Sequence, residues 1–379
     1  MAARRIAIFT TSYLPLIGGA QIAINEFTKR IEDYDYFLFC PKLSRSLSSV
    51  EQINKVKVYR IGFGANFDKY IFVLLAPFFA LRIAGLRCII WGMMANYGGF
   101  AAVIFNLLTL KRNKFLLSFH EGFTMEWLKK KGALSGFLVR KIFAQADYLQ
   151  VVSSYSLDLA RQLGYSSSNY SLIPNGVDID RFKPSDDPSS NKALKERLRI
   201  QKNDKILFTA SRLSEKNAVG DVVCAMAKLP LEYRFLIVGD GELQADIDKQ
   251  IASLGLKNRV ILAGAKSHEE VIQFLQISHI FIRTAIRESL GTCFLEAMAV
   301  GVPVVATYVG GIKDFLIDSE NGVAATPKDI DSIVHAIRRY EDPVFYQKVR
   351  ANAMFLIKEK YTWDLLSKQF RPIFQQLCA

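Results

Sequence analysis

The sequence predicts an α/β protein of two Rossmann-like, doubly wound domains facing each other across a cleft. Three observations carry that expectation. The chain has 379 residues, comfortable for two domains and long for one. Half of its residues are hydrophobic, enough for a sizeable core in each half. Short β-branched runs alternate with helix-length amphipathic segments, the pattern of parallel sheets covered by helices on both faces.

In the first half, strands are expected at 4–10, 36–40, 56–61, 88–91, 115–119, 148–152 and 171–173, with helical patterns at 20–31, 100–110 and 155–163. The arginines and apolar run of 1–16 superficially resemble a signal peptide. The apolar core at 6–10 is too short for one and reads as a first buried strand. The stretch 71–90 comes nearest to a membrane span, but Arg82, Arg87 and Pro77 interrupt it and favour amphipathic or core helices. Pro174-Asn175-Gly176 and the polar run 184–190 then punctuate the chain. They place an N-terminal domain over 1–183 and a C-terminal one over 184–362. Further strands follow at 206–210, 235–238, 260–262, 280–282 and 302–306, and long helices at 344–360 and 363–377 end the chain. Ligands of such sheets sit beyond the carboxyl ends of the strands.

The net charge of +13 is uneven. Residues 1–190 carry about +9, from 23 Lys and Arg against 14 Asp and Glu, so the first half faces something acidic. No helix-turn-helix, zinc-finger spacing or RNA-binding aromatic motif is present, which turns the expectation from nucleic acid toward an anionic membrane surface. The five scattered cysteines, without a C-x-x-C, fit reduced thiols in the cytoplasm. Four dispersed histidines suggest no metal cluster.

Three segments carry chemistry. The densest runs from Arg287 through Glu288-Ser289-Leu290-Gly291-Thr292 to Glu296 and on to Ala306, reading as loop, short helix, Gly stop and buried strand. Ser289 or Thr292 can cap the helix, whose free N–H groups would face an anion. A carboxylate there suits hydrogen bonds to sugar or ribose hydroxyls. The second segment, Ser211-Arg212-Leu213-Ser214-Glu215-Lys216, follows a strand and offers two cations able to hold a diphosphate. The third, Pro15-Leu16-Ile17-Gly18-Gly19-Ala20, pairs glycines that allow positive φ and close approach of backbone N–H groups to a phosphate. Each alone also fits a plain loop.

Together with Ile173-Pro174-Asn175-Gly176-Val177-Asp178 and Arg181-Phe182, these segments resemble family 4 of the GT-B glycosyltransferases, in order along nearly the whole chain. The resemblance implies a retaining transferase that uses a nucleotide-sugar donor and requires no metal or other cofactor. Gly18 and Gly19 would close over the donor diphosphate, and Arg212 and Lys216 would neutralise it as it leaves. Glu288 would hold the transferred sugar, Glu296 the ribose, and the segment Ser289, Leu290, Gly291 and Thr292 would line the donor site. His120, in Ser118-Phe119-His120-Glu121-Gly122, matches the family histidine facing the sugar. Gly239-Asp240-Gly241 lacks the third glycine of a dinucleotide fingerprint, yet its place in the family gives Gly239 and Gly241 a modest donor-binding role. The helix 363–379 would pack back on the N-terminal domain. The acceptor would be a glycan or a lipid-linked glycan.

Four Asp-x-Asp pairs, at 33–35, 178–180, 246–248 and 329–331, lie in helical or loop contexts and are discounted as metal sites. The stretch 127–143 alternates basic and bulky apolar residues and reads equally as an interfacial helix on an anionic leaflet or as a core helix with a basic edge. Attachment to the cytoplasmic face of the membrane is therefore an expectation. The chain departs from the family at Ser211 and Asn217, where glycines are usual and where the phosphate loop would be stiffened or reshaped. It departs again at Lys313-Asp314, and in 88–91, which lacks acidic and histidine residues. Rival readings are a sugar-nucleotide epimerase on the same fold and a membrane-associated binding protein without turnover.

Overall fold

The computed structural model describes residues 4–16, 18–121, 125, 128, 132–185 and 187–378. Trp127 and the three lysines 129–131 of the basic stretch fall outside them. The chain forms two compact units, Met1–Asn175 with Trp363–Ala379, and Gly176–Thr362. The division falls after Asn175 rather than after residue 183, because residues 177–182 bond into the second unit. Val177 donates to the Tyr361 carbonyl at 2.7 Å, Arg181 pairs with Glu269 at 2.5 Å, and Phe182 packs edge-on against His268.

The first unit is built on strands β1 (Arg4–Phe9), β2 (Tyr34–Pro41), β3 (Val50–Ile53), β4 (Val56–Ile61), β5 (Ile89–Met93), β6 (Phe115–Phe119), β7 (Tyr148–Val151) and β8 (Tyr170–Leu172). Their order is β3-β4-β2-β1-β5-β6-β7-β8. All neighbours are parallel except β3 with β4. β3 escapes sequence reading because it is short, polar and at an edge, where alternation carries little signal. Strands β1, β5 and β6 are near-continuously apolar since both faces of the sheet are covered.

One face carries α2 (Asp68–Ile83), α3 (Tyr97–Leu108), α4 (Ala133–Gln145) and α5 (Ser154–Gln162), packed on Phe9, Phe39, Phe115 and Phe119. The other carries α1 (Gly19–Arg30) and the C-terminal helix Trp363–Cys378. That last helix presents Trp363, Leu366, Phe370, Ile373, Phe374 and Leu377 inward at helical spacing. Phe370 stacks on Phe27 at 4.2 Å, with Trp363 edge-on at 5.3 Å.

The second unit opens with α6 (Pro188–Arg197), N-capped by Asp187. Its sheet has the order β11-β10-β9-β12-β13-β14, all parallel. The strands are β9 (Lys205–Ala210), β10 (Tyr233–Val238), β11 (Val260–Gly264), β12 (Ile280–Arg283), β13 (Val304–Thr307) and β14 (Val323–Ala325). Helices α7 (Val219–Lys228), α8 (Gln244–Ser253), α9 (His268–Gln276), α10 (Thr292–Val300), α11 (Ile330–Arg338) and α12 (Pro343–Lys360) follow in the same series. A capping box, Ser267 with Glu270, starts α9. The C-terminal helix of the first unit is α13.

Candidate functional site

In the second unit the strand order reverses between β9 and β12, the switch point where α/β sheets open a binding crevice. The segments leaving four adjacent strands meet there. After β9 comes 211–218, after β10 the turn Gly239-Asp240-Gly241, after β12 the loop 284–291, and after β13 the turn Gly310–Asp314. Backbone hydrogen bonds tie them together: Leu213 N to Asp240 O at 2.7 Å, Ile286 N to Lys216 O at 2.8 Å, and Gly311 N to Glu288 O at 3.0 Å.

Glycine is required at three of these approaches. Gly239 and Gly241 have φ of +131° and +157°, and a Cβ at either would overlap the carbonyl of Ser211 or Leu213. At Gly310, with φ of +52°, a Cβ would overlap the Glu288 carbonyl oxygen. The Gly-Asp-Gly turn therefore buttresses the Arg212 loop, a packing role that its spacing alone did not reveal.

Glu288 is 8% exposed and is met by the Arg283 guanidinium at the end of β12, 2.7 Å away. The guanidinium fork also donates to Asn217 Oδ1 at 2.6 Å and to Cys293 Sγ at 3.0 Å. Burial pushes the Cys293 thiol up from its ordinary value, against the opposing effect of Arg283. Asn217 in turn donates to the Arg212 carbonyl at 2.6 Å. One largely enclosed arginine thus supports both the Glu288 carboxylate and the loop carrying Arg212 and Lys216. Arg212 itself is exposed, with Glu242 at 3.6 Å. Asn217 thus ties the loop both to Arg283 and to the Arg212 carbonyl.

Neither Ser289 nor Thr292 caps α10. Gly291 occupies the N-cap position at φ +86° with no side-chain cap. As glycine it carries no side-chain acceptor, and of the first-turn N–H groups that of Phe294 bonds the Gly291 carbonyl at 2.9 Å, so an anion at this end would have to be met by Thr292 and Cys293 N–H. Glu296, one turn into α10, faces His268 at 3.4 Å. Sequence reasoning missed Arg283, His268 and the role of Asn217. An arginine ending an otherwise buried strand was the one available signal.

In the first unit the order reverses between β1 and β5. Gly18 is the N-cap residue of α1, again without a side-chain cap. The positive φ expected of this glycine pair is absent: Gly18 is extended at φ −160° and Gly19 is helical. Close approach is what Gly19 serves, since its carbonyl accepts from Asn175 Nδ2 at 3.3 Å and a Cβ there would crowd that amide.

His120 follows β6. Burial pushes its imidazole down to about 4, partly opposed by a hydrogen bond with Gln150, so the ring is neutral at pH 7. Burial pushes the adjacent Glu121 carboxyl up to about 7, against hydrogen bonds from the Ala95 backbone and the Asn96 side chain. Asn96 donates to Glu121 at 3.3 Å and N-caps α3 through Gly98 N at 3.0 Å. Among the described residues, no group of three or more His, Cys, Asp or Glu side chains is placed to hold a metal ion.

Comparison with known proteins fits this geometry. The profile "Glycosyltransferase Family 4" matches residues 17–181, and "Glycosyl transferases group 1" matches residues 190–353. An uncharacterized glycosyltransferase of Methanocaldococcus jannaschii is 25% identical over 98% of both chains. The GDP-mannose-dependent monoacylated alpha-(1-6)-phosphatidylinositol monomannoside mannosyltransferase of Corynebacterium glutamicum is 23% identical, over 99% of this chain and 98% of its own. The structure of Anabaena HepE, solved with UDP and glucose, superposes with a TM-score of 0.83 at 20% identity, covering 98% of this chain and all of that one. The chain belongs to the GT-B glycosyltransferases of group 1, family 4.

Proposed function

We propose that the chain moves a hexose-type sugar, with retention of anomeric configuration, from a nucleotide-sugar donor to a glycan or lipid-linked glycan acceptor in cell-surface polysaccharide or glycolipid synthesis. The observation that carries this reading is the convergence at the β9/β12 switch point. There the Arg283–Glu288 pair, the 212–216 loop with its two cations and the start of α10, without a side-chain cap, are built into one set of strand ends. The Corynebacterium relative, whose name specifies a GDP-mannose donor and a monoacylated phosphatidylinositol monomannoside acceptor, supports both substrate classes.

In this reading Arg212 and Lys216 balance the charge that builds on the departing diphosphate, while the segment Ser289, Leu290, Gly291 and Thr292, leading into the N-terminal end of α10, faces it. Glu288 accepts sugar hydroxyls, kept in place by Arg283, and Glu296 takes the ribose. Gly239 and Gly241 set the loop beside the base, and Gly18 and Gly19 offer N–H groups from the first unit. Neutral His120 faces the sugar without adding a charge. The bond from the anomeric carbon to the phosphate oxygen breaks as the acceptor oxygen bonds on the same face. The acceptor hydroxyl proton passes to the departing phosphate oxygen. No metal ion and no covalent nucleophile is assigned a part.

The test is thermal unfolding with UDP, GDP, ADP and their sugar conjugates, with chelator present. A ligand at about 100 times its Kd adds about 2.7 kcal/mol, and a shift with one base fixes the donor class. Acceptor-dependent release of that nucleoside diphosphate then separates transferase from epimerase. Glu288→Ala and Arg212→Ala are expected to lower kcat by about 100-fold or more. Unchanged turnover in both variants, or no nucleotide shift on folded protein, overturns the reading.

A further inference from the structure

Helix α2 departs from the usual logic of a surface helix. Its inward side, Phe72, Ala76, Pro77 and Ala80, is buried against the first sheet. Its outward side is apolar as well. Tyr70, Leu74, Leu75, Phe78 and Phe79 are all exposed, as is Phe67 just before the helix, with Leu74 at 65% and Phe78 at 56%. A helix apolar all round belongs in an interior, and an exposed apolar patch of this kind marks an interaction surface. The spacing 67, 70, 74, 78 puts these side chains on one stripe.

In the stretch of chain that holds the stripe, cations outnumber carboxylates among the described residues. Among the described residues from 63 to 146 there are eight lysines and arginines, with Arg82, Arg87, Lys111 and Arg112 all exposed. The two described carboxylates in that span are turned inward. Asp68 accepts from the backbone N–H groups of Phe63, Gly64 and Ala65, and Glu121 is buried beside Asn96.

We propose that the α2 face docks in the plane of an anionic lipid bilayer. The aromatic and leucine side chains of the stripe enter the headgroup–acyl boundary, and the surrounding cations meet lipid phosphates. Charge complementarity selects this occupant. A second copy of the chain would bring cation against cation, and a neutral apolar partner would leave the cationic rim without a role. Among the described residues no helix is long and apolar enough to cross a membrane, and the docking inferred here lies along the surface.

The test is co-sedimentation of the full chain, without donor or acceptor, with phosphatidylcholine vesicles and with vesicles of phosphatidylcholine mixed with phosphatidylglycerol. Binding is expected to the mixed vesicles and to fall with salt. Arg82→Gln with Arg87→Gln should weaken it about 30-fold, from about 1 kcal/mol per cation near the surface. Leu74→Ser with Phe78→Ser should abolish it while leaving the thermal midpoint within a few degrees, since both side chains are exposed. Equal binding to both vesicle types, binding unchanged in the serine variant, or a concentration-dependent dimer that the serine variant dissolves would each overturn the proposal. Because no substrate is present, its failure leaves the transferase reading standing.

Discussion

Two carboxylates follow strand ends in the two units, and the fold treats them differently. Glu288 meets a guanidinium at 2.7 Å. Glu121 meets an amide and a backbone N–H, and burial lifts it to about 7. The first is a charge given a built-in countercharge, which also braces a cationic loop through Asn217. The second belongs with His120 to a desolvated pair of groups, both favoured in their neutral forms. A site that must hold a fixed charge needs its partner inside the same fold; a site that must stay neutral needs only burial.

The sharpest way to break this contrast is to remove the countercharge. Arg283→Leu is expected to cost about 3–5 kcal/mol in denaturant unfolding, because Glu288 is left buried and unpaired. Adding Glu288→Gln should return part of that loss. A silent Arg283→Leu would show that the pair supports nothing.

The first unit should respond to pH instead. His120 has a folded value depressed from 6.5 to about 4, so its contribution is full above pH 6.5 and lost as pH falls toward 4. The loss is roughly 3 kcal/mol at about 1.4 kcal/mol per unit. Glu121 has a folded value raised from 4.5 to about 7, so its contribution is full below pH 4.5 and lost as pH rises through 7. In the native chain the two slopes offset each other between pH 4.5 and 6.5. Glu121→Gln should expose the acid-side loss and His120→Gln the loss toward neutrality. Flat profiles in both variants would refute the desolvated pair.

The smallest effect is expected at the link between carboxylate and loop. Asn217→Gly removes the bonds to Arg212 and Arg283 and should cost about 1–2 kcal/mol. The thermal shift produced by nucleotide should shrink with it. A larger effect on nucleotide binding than on stability would locate the role of Asn217 in holding the loop.

Much of this was legible before any coordinates. The alternation of β-branched runs with amphipathic segments announced two doubly wound sheets, and the apolar stripe of Trp363–Cys378 announced a helix with a buried face. Glu288, just before a helix, and Glu296, inside it, stood out from the motif that the chain shares with the family. Other parts could not be read. β3 is too short and polar, and the interruption of 71–90 by Arg82, Arg87 and Pro77 suggested amphipathic or core helices, whereas α2 is apolar on both sides. Periodicity describes which residues share a side, but not whether the outer side is covered.

The sequence by itself determined the fold class and the family, because both rest on local periodicity and on motifs contiguous in the chain. Tertiary structure decided which partners meet. Arg283 and Asn217 are 66 residues apart, as the hydrogen bond between them records, and His268 and Glu296 are 28 apart. Such pairs are brought together by the order of strands in the sheet, which no single segment encodes. The neutrality of His120 and Glu121 is likewise a property of the solvent excluded around them, and desolvation is set by the whole packed unit rather than by neighbours in the chain.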